Sequence, residues 1–191
     1  MEEATLKSKV YSLSEAVGLI HDGATVAIGG HTLRRHPMAL IAEIIRQGRR
    51  NLHIMGWNNG IDMDALIGAG CVQTVETSYI GIPNFGLARN YRRKAENGEI
   101  RVLEHSEITA LDMFRAGAMG LTFLPNKTPL GNGILDHNER IRTVTCPFTG
   151  QTYGAVQAAK PDFAILHAHT ADQWGNVQLD TRNWRDNSAD V

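Results

Sequence analysis

Short runs of apolar, β-branched residues alternate along this chain with longer segments whose apolar positions recur at helical spacing. Thr25-Val26-Ala27-Ile28, Leu52-His53-Ile54-Met55, Val72 to Val75, Ser78-Tyr79-Ile80-Gly81, Ile100-Arg101-Val102-Leu103, Thr122-Phe123-Leu124-Pro125 and Phe163-Ala164-Ile165-Leu166 read as strands. Between them, Ser12 to Ile20, the segment from Met38 to Ile45, Met63 to Ile67, Leu87 to Asn97 and Ile108 to Met119 read as helices. Ser12 with Glu15 three residues later forms a capping-box signature, and Gly98 and Gly120 stop the helices before them. Pro37 suits the first turn of a helix. Asn126 to Tyr153 is a long irregular stretch, within which Ile141 to Cys146 alternates like a strand. The alternation predicts an α/β fold: an open, mostly parallel sheet with helices on both faces, three layers deep. Asn183 to Val191 is polar and without periodicity.

In such a sheet, ligands bind beyond the carboxyl ends of the strands. The first strand runs there into Gly29-Gly30, and a helix starts after Pro37. Bare backbone beside a helix N-terminus can meet an anion or a carbonyl oxygen. Glu104 and Glu107 stand where another strand hands over to a helix, so a carboxylate there can reach the same edge. At a helix N-terminus Glu107 also gains a few tenths to ~1 kcal/mol from the dipole. Beside an apolar pocket, either glutamate could instead act as a general base. Asn58 and Ser78 lie at the ends of strand-like pieces and are weaker candidates.

Net charge is −1, from 19 basic and 20 acidic residues, which argues against a nucleic-acid partner. The basic run Arg89, Arg92, Arg93, Lys94 reads as a solvated helix face. Two cysteines, Cys71 and Cys146, make no disulfide framework and fit a reducing cytosol. The acidic start Met1-Glu2-Glu3 precedes no secretory h-region, and no apolar run nears the ~20 residues that span a bilayer. A cytoplasmic protein without membrane contact is expected. No Gly-x-Gly-x-x-Gly follows a strand, and neither a Walker sequence nor Gly-x-Ser-x-Gly is present. His167, His169 and Asp172 do not complete the pattern of binuclear metal hydrolases, and no metal site is expected.

Asp22-Gly23, two residues, Val26-Ala27-Ile28, Gly29-Gly30-His31 and, at the right distance, Pro37 resemble the N-terminal pattern of class I coenzyme A transferase α subunits. The usual Phe is His31 here and a usual Gly is Arg35. With Thr32-Leu33 and Pro37-Met38-Ala39, these departures resemble the glutaconate CoA-transferase branch. Glu104-His105-Ser106 is similar to a Glu-x-Ser piece of the family. Gly120 to Pro125 is similar to its apolar continuation, with Thr122 replacing a common Pro. Ala164 to Ala168, Ala171-Asp172 and Gly175-Asn176 are similar to its His-Ala…Ala-Asp…Gly-Asn run.

The resemblance implies a CoA-transferase fold, shared with the sugar-phosphate isomerases, over a single α-type domain, residues 1–191. Family α subunits usually continue several elements beyond Asn176, so some C-terminal elements are expected to be missing. It implies movement of CoA between carboxylic acids, with a CoA thioester as substrate and no tightly bound cofactor. The nucleophilic glutamate would come from a β subunit, in a heterodimer or α2β2 assembly. Gly29 and Gly30 would then line a shared cleft, and His31, Arg34 or Arg35 would hold the carboxylate of a diacid acyl group. A second reading is a ring-opening hydrolase of the same fold, acting on cyclic CoA thioesters from steroid breakdown, with Glu104 or Glu107 as base. A third is a module that binds acyl-CoA without turnover.

Overall fold

The computed structural model describes residues 7–179. The tail from Asn183 lies outside them. In chain order the elements are α1 (Leu13–Gly18), β1 (Thr25–Ile28), α2 (Met38–Arg46), β2 (Leu52–Met55), β3 (Asn58–Asn59), α3 (Ile61–Gly68), β4 (Val72–Thr77) and β5 (Tyr79–Ile82). Then come β6 (Gly86–Leu87), α4 (Arg89–Glu96), β7 (Arg101–Glu104), α5 (Glu107–Ala118), β8 (Phe123–Asn126), α6 (Ile134–His137) and β9 (Ile141–Thr145). The last are β10 (Thr152–Gln157), β11 (Phe163–Ile165), β12 (Thr170–Ala171) and β13 (Val177–Gln178).

Five strands form a parallel sheet in the order β11-β1-β2-β4-β7. Pleating sends Val26, Ile28, Leu52, Ile54 and Val75 to one face, where they pack with Val17, Ile41, Ile44, Met63, Leu66 and Ile67 of α1 to α3. Ala27 and Met55 go to the other face and meet Met113 and Phe114 of α5 with Ile141 and Val156 of the β9–β10 hairpin. Each fully buried side chain of this size contributes about 1.5–3 kcal/mol. The expected three-layer arrangement is observed, but a small antiparallel sheet supplies part of one outer layer.

Two local expectations need correction. Phe123–Asn126 does not join the parallel sheet. It pairs antiparallel with β10, which pairs in turn with β9. Within the stretch read as irregular, Ile141–Thr145 pairs as its alternation predicts, and Asn126 and Thr152-Tyr153 belong to the same small sheet. Likewise Tyr79–Ile82 leaves the main sheet and pairs with Asn58–Asn59 and Gly86–Leu87, so α4 starts at Arg89 rather than Leu87.

Helix boundaries follow their caps. Ser12 Oγ accepts from the Glu15 amide while the Glu15 carboxylate accepts from the Ser12 amide, closing the box at α1. At α5, Ser106 Oγ accepts from the Thr109 amide at 3.1 Å and Thr109 Oγ1 accepts from the Ser106 amide at 2.9 Å. This reciprocal cap makes Glu107 the first residue of the helix. On α4 no side chain is buried; Arg92 pairs with Glu96 and Lys94 with Glu99, as a solvated face requires.

Candidate active site at the carboxyl edge of the sheet

Beyond β1 the chain makes a tight loop, residues 29–36, centred on a buried imidazole. His36 Nδ1 lies 2.9 Å from Asp62 Oδ2, and His36 Nε2 lies 2.9 Å from the Thr32 carbonyl. Both side chains are almost wholly buried. Asp62 also accepts from Asn59 Nδ2 and from the Gly60 amide, each at 2.8 Å. Burial opposes charge on both partners, yet their mutual hydrogen bond and Coulomb attraction prevail. The His36 pKa is raised and that of Asp62 lowered, which describes an ion pair. Sequence reading passes over both residues. Asp62 shares the first turn of α3 with Asp64, and an acid in such a turn is ordinarily explained by the dipole.

This pair shapes the glycine loop. Gly30 has φ +120°, and a Cβ added there would stand 2.6 Å from His36 Nδ1 and 2.9 Å from the Arg34 carbonyl. Only glycine fits. Thr32 and Arg35 also take positive φ, 51° and 56°. The amides of this loop are not all available to a ligand. Gly29 donates to the Ile165 carbonyl at 3.1 Å and His31 to the Arg34 carbonyl at 2.9 Å. Among the described residues the Gly30 amide donates to no acceptor, so a backbone donor remains directly beyond β1. Gly29 and Gly30 are buried.

The second loop at this edge follows β2. The Thr32 amide donates to the Asn58 carbonyl at 2.6 Å, tying the two loops together. Asn58 Nδ2 donates to Glu107 Oε1 at 2.8 Å, and Ser78 Oγ lies 2.8 Å from Asn58 Oδ1 and 2.7 Å from the Trp57 carbonyl. The residues expected separately thus form one array, Ser78–Asn58–Glu107. Asn58 is buried and oriented at both ends; Glu107 is exposed, and its Oε2 meets no donor among the described residues. A carboxylate so held by one oxygen, at the positive end of α5, keeps its other oxygen for a ligand, a proton or water.

The other candidates fall around or outside this array. The His31 ring packs on Trp57, 4.9 Å between centroids, which places it over the same loop. Arg34 is exposed and Arg35 half-buried on the outer turn of the loop. Glu104 is exposed at the end of β7, and its side chain does not enter the array. Burial first, and then the Glu104 charge, raise the pKa of Tyr91 on α4. The Glu104 backbone carbonyl accepts from Asn138 Nδ2 at 2.8 Å. Further along, Asp172 accepts from the amides of Trp174 and Asn176 and from Asn176 Nδ2, so that acid is used to shape the β12–β13 turn.

A second buried constellation does not show in the periodicity of the sequence. Glu76 on β4 is fully buried and lies 3.0 Å from His53 Nε2, 3.0 Å from His105 Nε2 and 2.8 Å from Arg140 Nε. Burial would favour its neutral acid, but hydrogen bonds from His105 and His53 and the Arg140 charge hold its pKa at about 2. The one available signal is an acid at an inward position of an apolar strand, which demands partners.

The family model described as coenzyme A transferase matches residues 10–190. The chain is 36% identical, over 90% of its length, to a 3-oxoadipate CoA-transferase subunit of Pseudomonas knackmussii, of which it covers 62%. It superposes on the crystal structure of glutaconate coenzyme A-transferase from Acidaminococcus fermentans with a TM-score of 0.86 at 31% identity, covering 90% of this chain and 60% of that one. It is also 31% identical to the cholesterol ring-cleaving hydrolase IpdA subunit of Rhodococcus jostii, over 90% of its length and 60% of that protein. The chain thus spans about three-fifths of the length of these relatives. By sequence and by fold alike, it belongs to the coenzyme A transferase family.

Proposed function

We propose that this chain is the α-type part of an acyl-CoA:carboxylate CoA-transferase, acting with a β subunit that brings the nucleophilic glutamate. The observation that supports this most directly is the Ser78–Asn58–Glu107 array beside the Gly30 amide, at the sheet edge where two halves of such a cleft would meet. In the reaction, the partner carboxylate attacks the thioester carbonyl and CoA thiolate leaves, giving an acyl–glutamyl anhydride. The thiolate then attacks the glutamyl carbonyl, releasing the acyl carboxylate and leaving a glutamyl-CoA thioester for the incoming acid. This chain's share is to place the thioester: the Gly30 N–H faces the developing oxyanion, and His31 with Arg34 or Arg35 holds a distal carboxylate of the acyl group. CoA enters as substrate, and the assembly works in the cytoplasm as a heterodimer or α2β2 complex.

A second reading has support from the same array. In a ring-opening hydrolase, Glu107 rather than a partner glutamate takes the proton of an attacking water, and Asn58 fixes the carboxylate for that step. Similarity to the IpdA subunit favours it. One experiment separates the two. The complex of this chain with its co-expressed partner is incubated with acyl-CoA and then treated with borohydride or hydroxylamine. Mass-shifted partner glutamate is the expected result. Unmodified partner, with ring-opened product carrying oxygen from labelled water, would establish the hydrolase.

A further inference from the structure

We propose that a cavity on the face of the sheet that α5 and the β9–β10 hairpin cover, where Arg140, His53 and Lys160 converge, binds a phosphate group. The cavity measures about 230 Å³ and is bounded by Thr25 at the start of β1, by His53 and Met55 of β2, and by Arg140, Gln157 and Lys160. Arg140 and Gln157 also line a larger open groove of about 490 Å³, whose walls include Arg142 and Phe123. The two spaces therefore meet at one guanidinium.

The donors here are fixed from behind. Glu76 takes Arg140 Nε at 2.8 Å and His53 Nε2 at 3.0 Å, and Arg140 Nη2 reaches the Ala158 carbonyl at 3.4 Å. Among the described residues Arg140 Nη1, Lys160 Nζ and the Arg142 guanidinium find no acceptor. The single acid in either lining, Glu139, is bound to Arg101 at 2.8 Å. Close by, Asp162 accepts from the Thr25 amide at 2.8 Å. Glu76 already has three donors and does not call for Lys160 or Arg142. The arrangement leaves N–H groups of Arg140 and Lys160 at the small space and of Arg142 at the adjoining groove; no carboxylate is assigned to Lys160 or Arg142, and Arg140 turns only its Nε to Glu76. A tetrahedral anion with oxygens in several directions satisfies such a set, and a guanidinium fork held at its back loses little freedom in binding it. The adjoining groove, with Phe123 partly exposed on its wall, has room for the organic part of a phosphate ester.

The site shares no residue with the array at the carboxyl edge, so it stands or falls independently of the proposed reaction. It is tested by calorimetric titration of the protein, in complex with its co-expressed partner, with inorganic phosphate and with AMP at low salt. Saturable one-site binding is expected, weakening as salt is raised. Tighter binding of AMP would place the ester in the groove; binding of phosphate alone would restrict the site to the free anion. Both support the proposal. The double variant K160Q/R142Q alters exposed side chains outside the Glu76 cluster and should weaken affinity about tenfold while thermal unfolding stays unchanged. No saturable binding of either probe, or unchanged affinity in that variant, overturns the assignment.

Discussion

Asn58 Nδ2 donates to Glu107 Oε1 across 2.8 Å, joining a loop after the second parallel strand to the first residue of α5, 49 positions later. Ser78 fixes the other end of the Asn58 amide, so the carboxylate is aimed by residues from three segments. Glu107→Gln keeps an oxygen for Asn58 but removes the negative charge. Turnover of the complex should fall about a hundredfold, within the span general acid–base groups contribute, with little change in unfolding temperature. Glu104→Gln should stay within about twofold, since that side chain lies outside the array. Steady-state kinetics of both variants decide between the two carboxylates, and equal losses would refute the assignment.

Replacing Gly30 by Ala should destabilise the protein by about 2–3 kcal/mol, because φ +120° is strained for any L side chain and the new methyl meets His36. Urea unfolding measures it. A loss below about 0.5 kcal/mol would mean the loop re-forms without the imidazole at its centre.

The His36–Asp62 pair makes stability depend on pH in a definite direction. Burial works against the imidazolium, but Asp62 and the Thr32 and Gly29 carbonyls raise its pKa above the ordinary ~6.5. Its contribution is therefore complete below ~6.5 and lost as pH rises through the raised folded value. Asp62 runs the other way: its contribution is present above the ordinary ~3.9 and lost as pH falls through its depressed value. Thermal unfolding of the wild type should thus lose ground to His36→Gln as pH climbs above ~6.5. Parallel curves for the two proteins would show that the pair carries no net charge coupling.

Glu76→Gln leaves Arg140 without a counter-ion at the back of the second constellation. Breaking such a buried cluster at its single acid should cost about 3 kcal/mol at neutral pH. With the Glu76 pKa held at about 2, the wild-type advantage persists down to ordinary carboxylate pH and disappears only as pH falls toward that value. Chemical denaturation at pH 7 and pH 3 provides both numbers.

The parallel sheet was legible because its strands are short apolar runs, α1 because its cap is written in Ser12-Glu15, and α5 because Gly120 marks its end, though its start at Glu107 was read one residue late. The β9–β10 hairpin was only half legible. Thr152–Gln157 mixes polar residues with Gly154, which looks like a strand breaker. In the fold that glycine is where the strand passes Pro129, whose Cγ would stand 2.3 Å from an added Cβ. Asn58, Ser78 and Glu107 could be named one by one from their places at element ends. That they share hydrogen bonds depends on β3–β5 pairing away from the main sheet, which no local pattern reveals. His36–Asp62 and the Glu76 cluster were missed for a related reason: each joins residues 23 to 64 positions apart, and a buried ion pair leaves no periodic trace.

The order of the strands also dictates when the fold can close during synthesis. β1 emerges early, yet one of its two neighbours is β11, and Thr25 exchanges hydrogen bonds with Asp162, 137 positions downstream. Until that distant segment leaves the ribosome, the first strand exposes a bare row of amides and carbonyls on its flank. Nascent chains halted before residue 160 are therefore open to pairing with a neighbour on the same message, and only the arrival of Phe163 to Ile165 seals that flank.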